Sequence, residues 1–168
     1  LGEYDKAISD YTDAIRIKPD DAMAYSNRGI AFYFLGQYDN AIADYTEAVR
    51  IDPDYAKVYN NRGFAYGVLG QYDKAIADHT KAIRIAPDFA MAYNNRGTAY
   101  KELDQYDKAI ADFSKMIVLD PTDAINYCDR GDAYHKLGQH DRAIADYTEA
   151  IRIKPDFDGA YTGRGLAY

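Results

Sequence analysis

The sequence predicts an all-α protein, an α-solenoid in which antiparallel helix pairs stack one after another. The dipeptide Arg-Gly recurs five times, and proline five times, each at a constant interval of 34 residues. Within each interval, two segments place apolar or aromatic residues at the i, i+3, i+4 and i+7 spacing of a helix. The connections between these segments are only a few residues long, so consecutive helices must pack antiparallel. The repeated positions are Arg28-Gly29, Arg62-Gly63, Arg96-Gly97, Arg130-Gly131 and Arg164-Gly165, with Pro19, Pro53, Pro87, Pro121 and Pro155.

Each repeating unit carries its own signals for where the two helices begin and end. The first helix, as in "AMAYNNRGTAYKEL", ends near Leu-Gly, where glycine adopts the left-handed conformation that closes a helix. Asp104 stands at that position in one unit. The second helix, as in "QYDKAIADFSKMIVLD", ends at proline, which cannot continue a helix. The Asp or Thr directly after each proline is expected to cap the next helix.

The repeat positions divide the chain into one expected array that covers residues 1–168. Residues 1–20 form the second helix of a partial repeat, and residues 157–168 form the first helix of another. The full repeats are expected at residues 21–54, 55–88, 89–122 and 123–156. The chain begins inside a repeat and without an initiator Met, so we expect it to be a fragment of a longer protein.

Composition excludes several classes of partner. The formal net charge is -7, and binding to nucleic acid or to an anionic membrane surface requires clustered Lys and Arg. No apolar run approaches the ~20 residues that a membrane-spanning helix needs. A single cysteine, Cys128, rules out an internal disulfide framework and favours a reducing compartment such as the cytoplasm. We therefore expect neither a nucleic-acid nor a membrane partner.

The recurring aromatic and glycine positions indicate a packed core. Tyrosine occurs 18 times, largely at four repeat positions, and regular rings of this kind predict a core stripe. His79 and His140 replace tyrosine at two such positions and are expected to fill the core in its place. Gly63 and its equivalents should allow two helices to approach closely, with Ala75 and Ala82 on the other side of the contact. Gly63→Leu is then expected to force the helices apart.

The repeated arginine has a repeated opposite charge. Five aspartates recur at the same 34-residue interval in the second helices. These charges predict a ladder of inter-helix ion pairs. The pairs would form either within a repeat, as Arg62 with Asp78, or between neighbouring repeats, as Arg62 with Asp44. Projection of both partners into solvent is the alternative. The aspartates are Asp10, Asp44, Asp78, Asp112 and Asp146.

These positions resemble the tetratricopeptide repeat family along the whole chain. Tyr and Arg replace the family's first Trp and its Leu. The resemblance implies a right-handed superhelix and a concave groove, lined by the first helices, that binds an extended peptide or partner segment. It therefore implies a non-enzymatic interaction scaffold. In one repeat the pattern falls on Tyr93, Arg96, Gly97, Tyr100, Ala109, Phe113 and Pro121.

The residues expected to line this groove vary from repeat to repeat. The asparagines that recur at the repeat interval could hydrogen-bond the backbone of an extended peptide. The alternative is that they only occupy a polar helix face without binding a ligand. Apolar residues would accept hydrophobic side chains, and the acidic pair at the far end would favour a basic segment. The expected groove residues are Met23, Asn27, Ile30, Lys57, Asn60, Asn61, Phe64, Met91, Asn94, Asn95, Thr98, Lys101, Asp129 and Asp132.

The same positions argue against one ligand of the family. Chaperone-binding members carry a Lys/Asn/Arg clamp for a C-terminal carboxylate. Only Lys57 and Asn61 fit parts of that clamp here, because Ser26, Asn60 and Asn94 occupy positions of its basic residues. We do not expect this chain to bind the acidic tails of heat-shock chaperones.

Two other functions remain open from the sequence. Cys128, Asp132 and His135 share one helix face and could form a metal site or an activated thiol, although no fourth ligand and no catalytic motif accompanies them. We expect no enzyme activity, no cofactor and no metal. The second alternative is a self-assembling module, because the first and last helices each expose a face built for stacking on another repeat.

Overall fold

The all-α prediction is confirmed. A computed structural model of the chain describes residues 2–168, and these residues form helices and no strand. The chain folds into two compact units, one ending at Ala92 and the other running from Tyr93 to Tyr168. The helices are α1 (Gly2–Ile17), α2 (Ala22–Phe34), α3 (Tyr38–Ile51), α4 (Ala56–Val68), α5 (Tyr72–Ile85), α6 (Ala90–Glu102), α7 (Tyr106–Leu119), α8 (Ala124–Lys136), α9 (His140–Ile153) and α10 (Asp158–Ala167).

The turns that close the first helices have the expected left-handed backbone. Gly36, Gly70 and Gly138 follow these helices with φ between 70° and 72°. Asp104 occupies the same position after α6 with φ of 56°, the only positive φ at a non-glycine residue within 2–168. A side chain is strained in this region, so Asp104 costs stability that glycine would not.

The helix caps differ from the prediction. The residue directly after proline does not cap the following helix, and the cap lies one residue further on. Asp21 accepts hydrogen bonds from the backbone N–H groups of Met23 and Ala24, and Asp123 accepts one from Ile125. At the equivalent position α4 has Tyr55, which makes no side-chain cap bond.

A close contact between the paired helices joins glycine to an aromatic ring. A methyl group placed on Gly63 would lie 2.8 Å from the His79 ring, and one on Gly29 would lie 2.7 Å from Tyr45. Ala75 and Ala82 are fully buried, while the three atoms nearest to that methyl group all belong to the His79 ring, so the ring stands at this contact and the role of the alanines stays a prediction. The alanines fill the core beside it. The same contact recurs between Gly97 and Phe113 and between Gly131 and Tyr147.

The aromatic positions contribute unequally to the core. Tyr45, His79, Phe113 and Tyr147 occupy the same repeat position and are at most 2% exposed. His79 therefore fills the core as predicted. His140 is exposed, so the same prediction for His140 is wrong.

An ion-pair ladder ties the two helices of each repeat together. In every instance Nε and Nη2 of an arginine donate to the two carboxylate oxygens of the aspartate 16 residues later, over 2.7–2.8 Å. The side chains are 15–20% exposed for arginine and 5–10% for aspartate. The pairing is therefore within a repeat and shielded from solvent. The pairs are Arg28–Asp44, Arg62–Asp78, Arg96–Asp112 and Arg130–Asp146.

The third guanidinium nitrogen reaches back to the preceding helix. Nη1 of Arg28 donates to Oγ1 of Thr12, and Nη1 of Arg62 donates to Oγ1 of Thr46. In the second unit Nη1 of Arg130 donates to Oγ of Ser114 in the same way. Each of these arginines therefore joins three consecutive helices and sets their register.

Candidate protein-interaction groove

In the first unit, α2 and α4 present an aromatic cleft. Phe34 and Phe64 are 60% and 46% exposed, which is unusual for side chains of this size. The Tyr33 ring bridges them, with its centroid 5.8 Å from Phe34 and 5.6 Å from Phe64. These three rings, with Ile30, Tyr45 and Asn61, line a cavity of about 230 Å³. The cleft offers an apolar recess with one carboxamide at its edge.

Asn27 and Asn61 occupy equivalent positions in the first unit. Each lies directly before the ladder arginine of its helix, and each is half-buried. A carboxamide in this setting still has donors and an acceptor that can reach a ligand. Asn61 also lines the aromatic cleft, so a polar contact and an apolar recess lie side by side.

Asn60 does not face the groove. Its side chain is 2% exposed, and its Oδ1 lies 3.1 Å from Nδ1 of the buried His79. Ser26, at the same position in α2, is 4% exposed. The expectation that Asn60 contacts a ligand is therefore wrong, because this position faces the second helix of its own repeat.

Other predicted groove residues of the first unit are accessible. Met23 and Met91 are 61% and 59% exposed, and Lys57 is exposed. Together with the aromatic cleft they give the first helices of this unit a largely apolar accessible surface. Ile30 is half-buried within the cleft.

In the second unit, α6 supplies the polar groove positions. Thr98 is exposed, and Asn94 and Asn95 are half-buried. Neighbouring turns of one helix thus carry small polar side chains beside the ladder arginine Arg96. Their arrangement suits hydrogen bonding to a backbone more than packing against an apolar side chain.

The acidic pair of the second unit already has a counter-ion. Nζ of Lys101 lies 3.4 Å from Oδ1 of Asp129 and 3.6 Å from Oδ2 of Asp132. The Tyr147 hydroxyl donates to Oδ1 of Asp132 over 2.8 Å. Burial raises the pKa of Asp129, and Lys101 opposes that rise. A basic ligand would have to compete with Lys101, a relation that the sequence pattern did not reveal.

The surroundings of Cys128 do not activate its thiol. Burial, together with the negative charges of Asp132 and Asp129, raises the thiol pKa to about 12. A reactive cysteine needs the opposite shift. Within residues 2–168 no group of three or more His, Cys, Asp or Glu side chains is arranged to hold a metal ion.

Phe34 and Tyr45 line the aromatic cleft, and neither was predicted to lie in the groove. Phe34 stands at a position that other repeats fill with Val68, Glu102 and Lys136, so the repeat pattern carries no signal for it. The Tyr45 ring is buried in the core, as the repeated tyrosine positions predict, but it also forms part of the cleft wall. None of the described helices is both long and apolar enough to cross a bilayer.

The chain belongs to the tetratricopeptide repeat family. It matches the description "TPR repeat" over residues 1–36, 31–70 and 131–168. It matches "Tetratricopeptide repeat" over residues 56–89, 90–123 and 113–145. The family resemblance drawn from the repeated Arg-Gly and proline positions is thereby confirmed. A comparison with curated proteins gave no match.

Solved structures share this fold. The crystal structure of MamA is 26% identical with a TM-score of 0.88, over 92% of this chain and 90% of that one. The first tetratricopeptide repeat domain of Spaghetti (RPAP3), bound to the HSP90 peptide SRMEEVD, is 27% identical with a TM-score of 0.64, over 67% and 89%. YrrB, described as having an unusual peptide-binding site, is 23% identical with a TM-score of 0.83, over 94% and 81%, and this likeness concerns the fold alone. The family and the peptide-binding structures among those that share this fold support a protein-interaction scaffold.

Proposed function

We propose that this chain is a non-enzymatic scaffold whose first helices bind an extended peptide or partner segment. The observation that carries the proposal is the cleft in which Phe34, Tyr33 and Phe64 surround an apolar recess beside Asn61. Exposed aromatic rings of this kind are the side chains that most often anchor protein interfaces.

The proposed ligand makes two kinds of contact in the first unit. Its backbone exchanges hydrogen bonds with the Asn27 and Asn61 carboxamides, which have both donors and acceptors. One of its side chains, aliphatic or aromatic, enters the recess next to Phe64. Apolar Met23 and Met91 favour further hydrophobic residues in the ligand, because methionine adapts to varied apolar partners.

The proposed ligand differs from a chaperone tail. Among the solved structures similar to this chain, the RPAP3 domain is bound to an HSP90 peptide, which supports peptide binding as a use of this fold. Here Asn60 and Ser26, which stand where the carboxylate clamp would need basic residues, are buried. We therefore propose that recognition depends on the peptide backbone and on apolar side chains, and not on a terminal carboxylate.

The experiment begins with peptides selected from a random library displayed on phage against the intact chain. A selected peptide is then measured against Asn27→Ala/Asn61→Ala, with Asn40→Ala in the second helix α3 as the matched control. Losing two ligand hydrogen bonds should weaken binding about 10-fold or more, whereas the control should bind like the original chain. Equal affinity for the double variant and the control would contradict the proposal.

A self-assembling module is the second candidate function. Leu166 and Tyr168 in and after α10 are 70% and 85% exposed, and α1 contains no buried residue. None of the residues that line the aromatic cleft belongs to α1 or α10, although Tyr4 of α1 stacks on Phe34 with ring centroids 5.4 Å apart. Loss of peptide binding with unchanged self-association would favour the groove alone.

A further inference from the structure

We infer, on the basis of the function proposed above, that the side chain entering the aromatic cleft is a tyrosine whose hydroxyl accepts a hydrogen bond from the Tyr45 hydroxyl. Tyr45 is 2% exposed and lines the cavity of about 230 Å³. Among residues 2–168 its hydroxyl has no hydrogen-bond partner. An apolar ligand side chain in the recess would seal this hydroxyl from water without a partner, which is unfavourable, whereas an acceptor at the same place satisfies it.

The second unit shows how the chain satisfies the equivalent hydroxyl. Tyr147 stands at the position of Tyr45, three repeats later, and its hydroxyl donates to Oδ1 of Asp132 over 2.8 Å. In the first unit the position of Asp132 is occupied by Ile30, which lines the cleft and has no acceptor in its side chain. The Tyr45 hydroxyl thus lacks the partner that its equivalent has, and a ligand that enters the cleft can supply one.

The two rings at this position in the repeats between them need no partner from outside. Nδ1 of His79 lies 3.1 Å from Oδ1 of the buried Asn60, and the Phe113 ring has no polar atom. Of these four buried rings, Tyr45 alone has a hydroxyl for which residues 2–168 supply no hydrogen bond.

The repeat geometry places this hydroxyl on the groove side of the ring. In the second unit a methyl group on Gly163 would lie 3.0 Å from the Tyr147 hydroxyl oxygen. Asn61 stands at the position of Gly163 in the first unit and lines the cleft. The Tyr45 hydroxyl is not one of the side-chain atoms that are fully enclosed without a partner, so it remains open to the cavity. A ligand side chain that enters beside Asn61 therefore reaches it.

A tyrosine combines the two properties that the cleft requires of a ligand side chain. The Phe34, Tyr33 and Phe64 rings favour an aromatic ring, which packs edge-to-face or offset against them. Burial raises the pKa of Tyr45, so its hydroxyl keeps its proton and acts as the donor. A phenol oxygen accepts such a bond without the charge of a carboxylate, which the apolar walls and the net charge of -7 would disfavour.

The experiment uses the peptides selected on the intact chain and replaces each tyrosine of a selected peptide by phenylalanine. For the intact chain, changing the tyrosine that enters the cleft should weaken binding about 10-fold, because Tyr45 loses its acceptor. For Tyr45→Phe the same peptide change should weaken binding less than about 2-fold, since no donor remains. Tyr147→Phe, the same substitution in the second unit, is the matched control and should retain the full difference.

Two outcomes would overturn this inference while leaving peptide binding standing. In one, the selected peptides contain no tyrosine. In the other, the loss on changing tyrosine to phenylalanine is the same for the intact chain and for Tyr45→Phe. If instead Asn27→Ala/Asn61→Ala binds the selected peptide as tightly as the Asn40→Ala control, the proposed function fails and the inference fails with it.

Thermal melts of the free chain test the unpaired hydroxyl without any ligand. Tyr45→Phe removes a hydroxyl that has no partner, and Phe113 shows that phenylalanine fits this position, so the melting temperature should be unchanged or higher. Tyr147→Phe removes the hydrogen bond to Asp132 and should lower the melting temperature. An equal drop for both variants would mean that the Tyr45 hydroxyl already has a partner in the chain, and would overturn the inference.

Discussion

The ion-pair ladder makes a quantitative prediction at Arg62. Its Nε and Nη2 donate to Asp78 over 2.7 and 2.8 Å, and the two side chains are 15% and 10% exposed. Arg62→Ala leaves a shielded carboxylate without its partner and a void beside it. Breaking a pair of this kind costs about 3 kcal/mol of unfolding free energy. Arg62→Leu should recover about 1 kcal/mol of that loss, because leucine fills the void.

Urea denaturation followed by circular dichroism measures these changes, and a double-mutant cycle with Asp78→Ala isolates the pair. The coupling energy is expected to be about 2 kcal/mol. Arg50→Ala is the matched control, since Arg50 pairs with Glu47 at 2.8 Å but is exposed, and its loss should leave stability unchanged. Equal stabilities for Arg62→Ala and Arg50→Ala would refute the account of a shielded ladder.

Three further predictions test the packing. Gly63→Ala should lower the unfolding free energy by about 1–3 kcal/mol, because its methyl group would lie 2.8 Å from His79. Gly67→Ala in the same helix, whose methyl group meets nothing within 4 Å, should raise the unfolding free energy by about 0.5–1 kcal/mol, and urea midpoints in the opposite order would contradict this. Asp104→Gly should stabilise by up to about 1 kcal/mol by relieving the left-handed backbone, and a lower melting temperature would count against strain there. Cys128 should react with iodoacetamide far more slowly in the native chain than in urea at pH 8, because its native thiol pKa of about 12 lies above the unfolded value; equal rates would contradict its burial.

The Cys128 pKa also fixes the sign of a pH effect on stability. Between the ordinary thiol pKa and about 12, the native state holds the proton while the unfolded state has lost it. The unfolding free energy should therefore fall as pH rises through that range, and Cys128→Ser should reduce this fall.

Periodicity alone was sufficient to predict the helices and the family. The 34-residue interval set which residues share a helix face, and the positions of glycine and proline set the helix ends. The helix caps could not be predicted from periodicity, because a shift of one residue in where the helical backbone begins decides whether Asp21 or the residue before it caps α2. A spacing pattern does not resolve that difference.

The partner of each arginine could not be read from spacing. Asp44 and Asp78 flank Arg62 at distances of 18 and 16 residues, which are nearly symmetric along the chain. Only the packing of α4 against α5 brings Asp78 within hydrogen-bond distance of the Arg62 guanidinium, whose Nη1 then donates to Thr46 of the preceding helix.

The expected groove residues needed one correction, for a similar reason. Asn60 and Asn61 are neighbours in sequence, yet a rotation of one residue turns one towards His79 and the other towards the cleft. The acidic pair at Asp129 looked available because Lys101 lies 28 residues away and its charge comes close only in the folded unit.

Magnetic resonance mapping tests the central claim, peptide binding by the first helices, most directly. The isotope-labelled chain is titrated with a phage-selected peptide while the backbone and asparagine side-chain amides are followed. We predict the largest shifts in α2 and α4, including the side-chain amides of Asn27 and Asn61 and the amides around Phe64. Shifts confined to the second helices α3 and α5 would contradict the account.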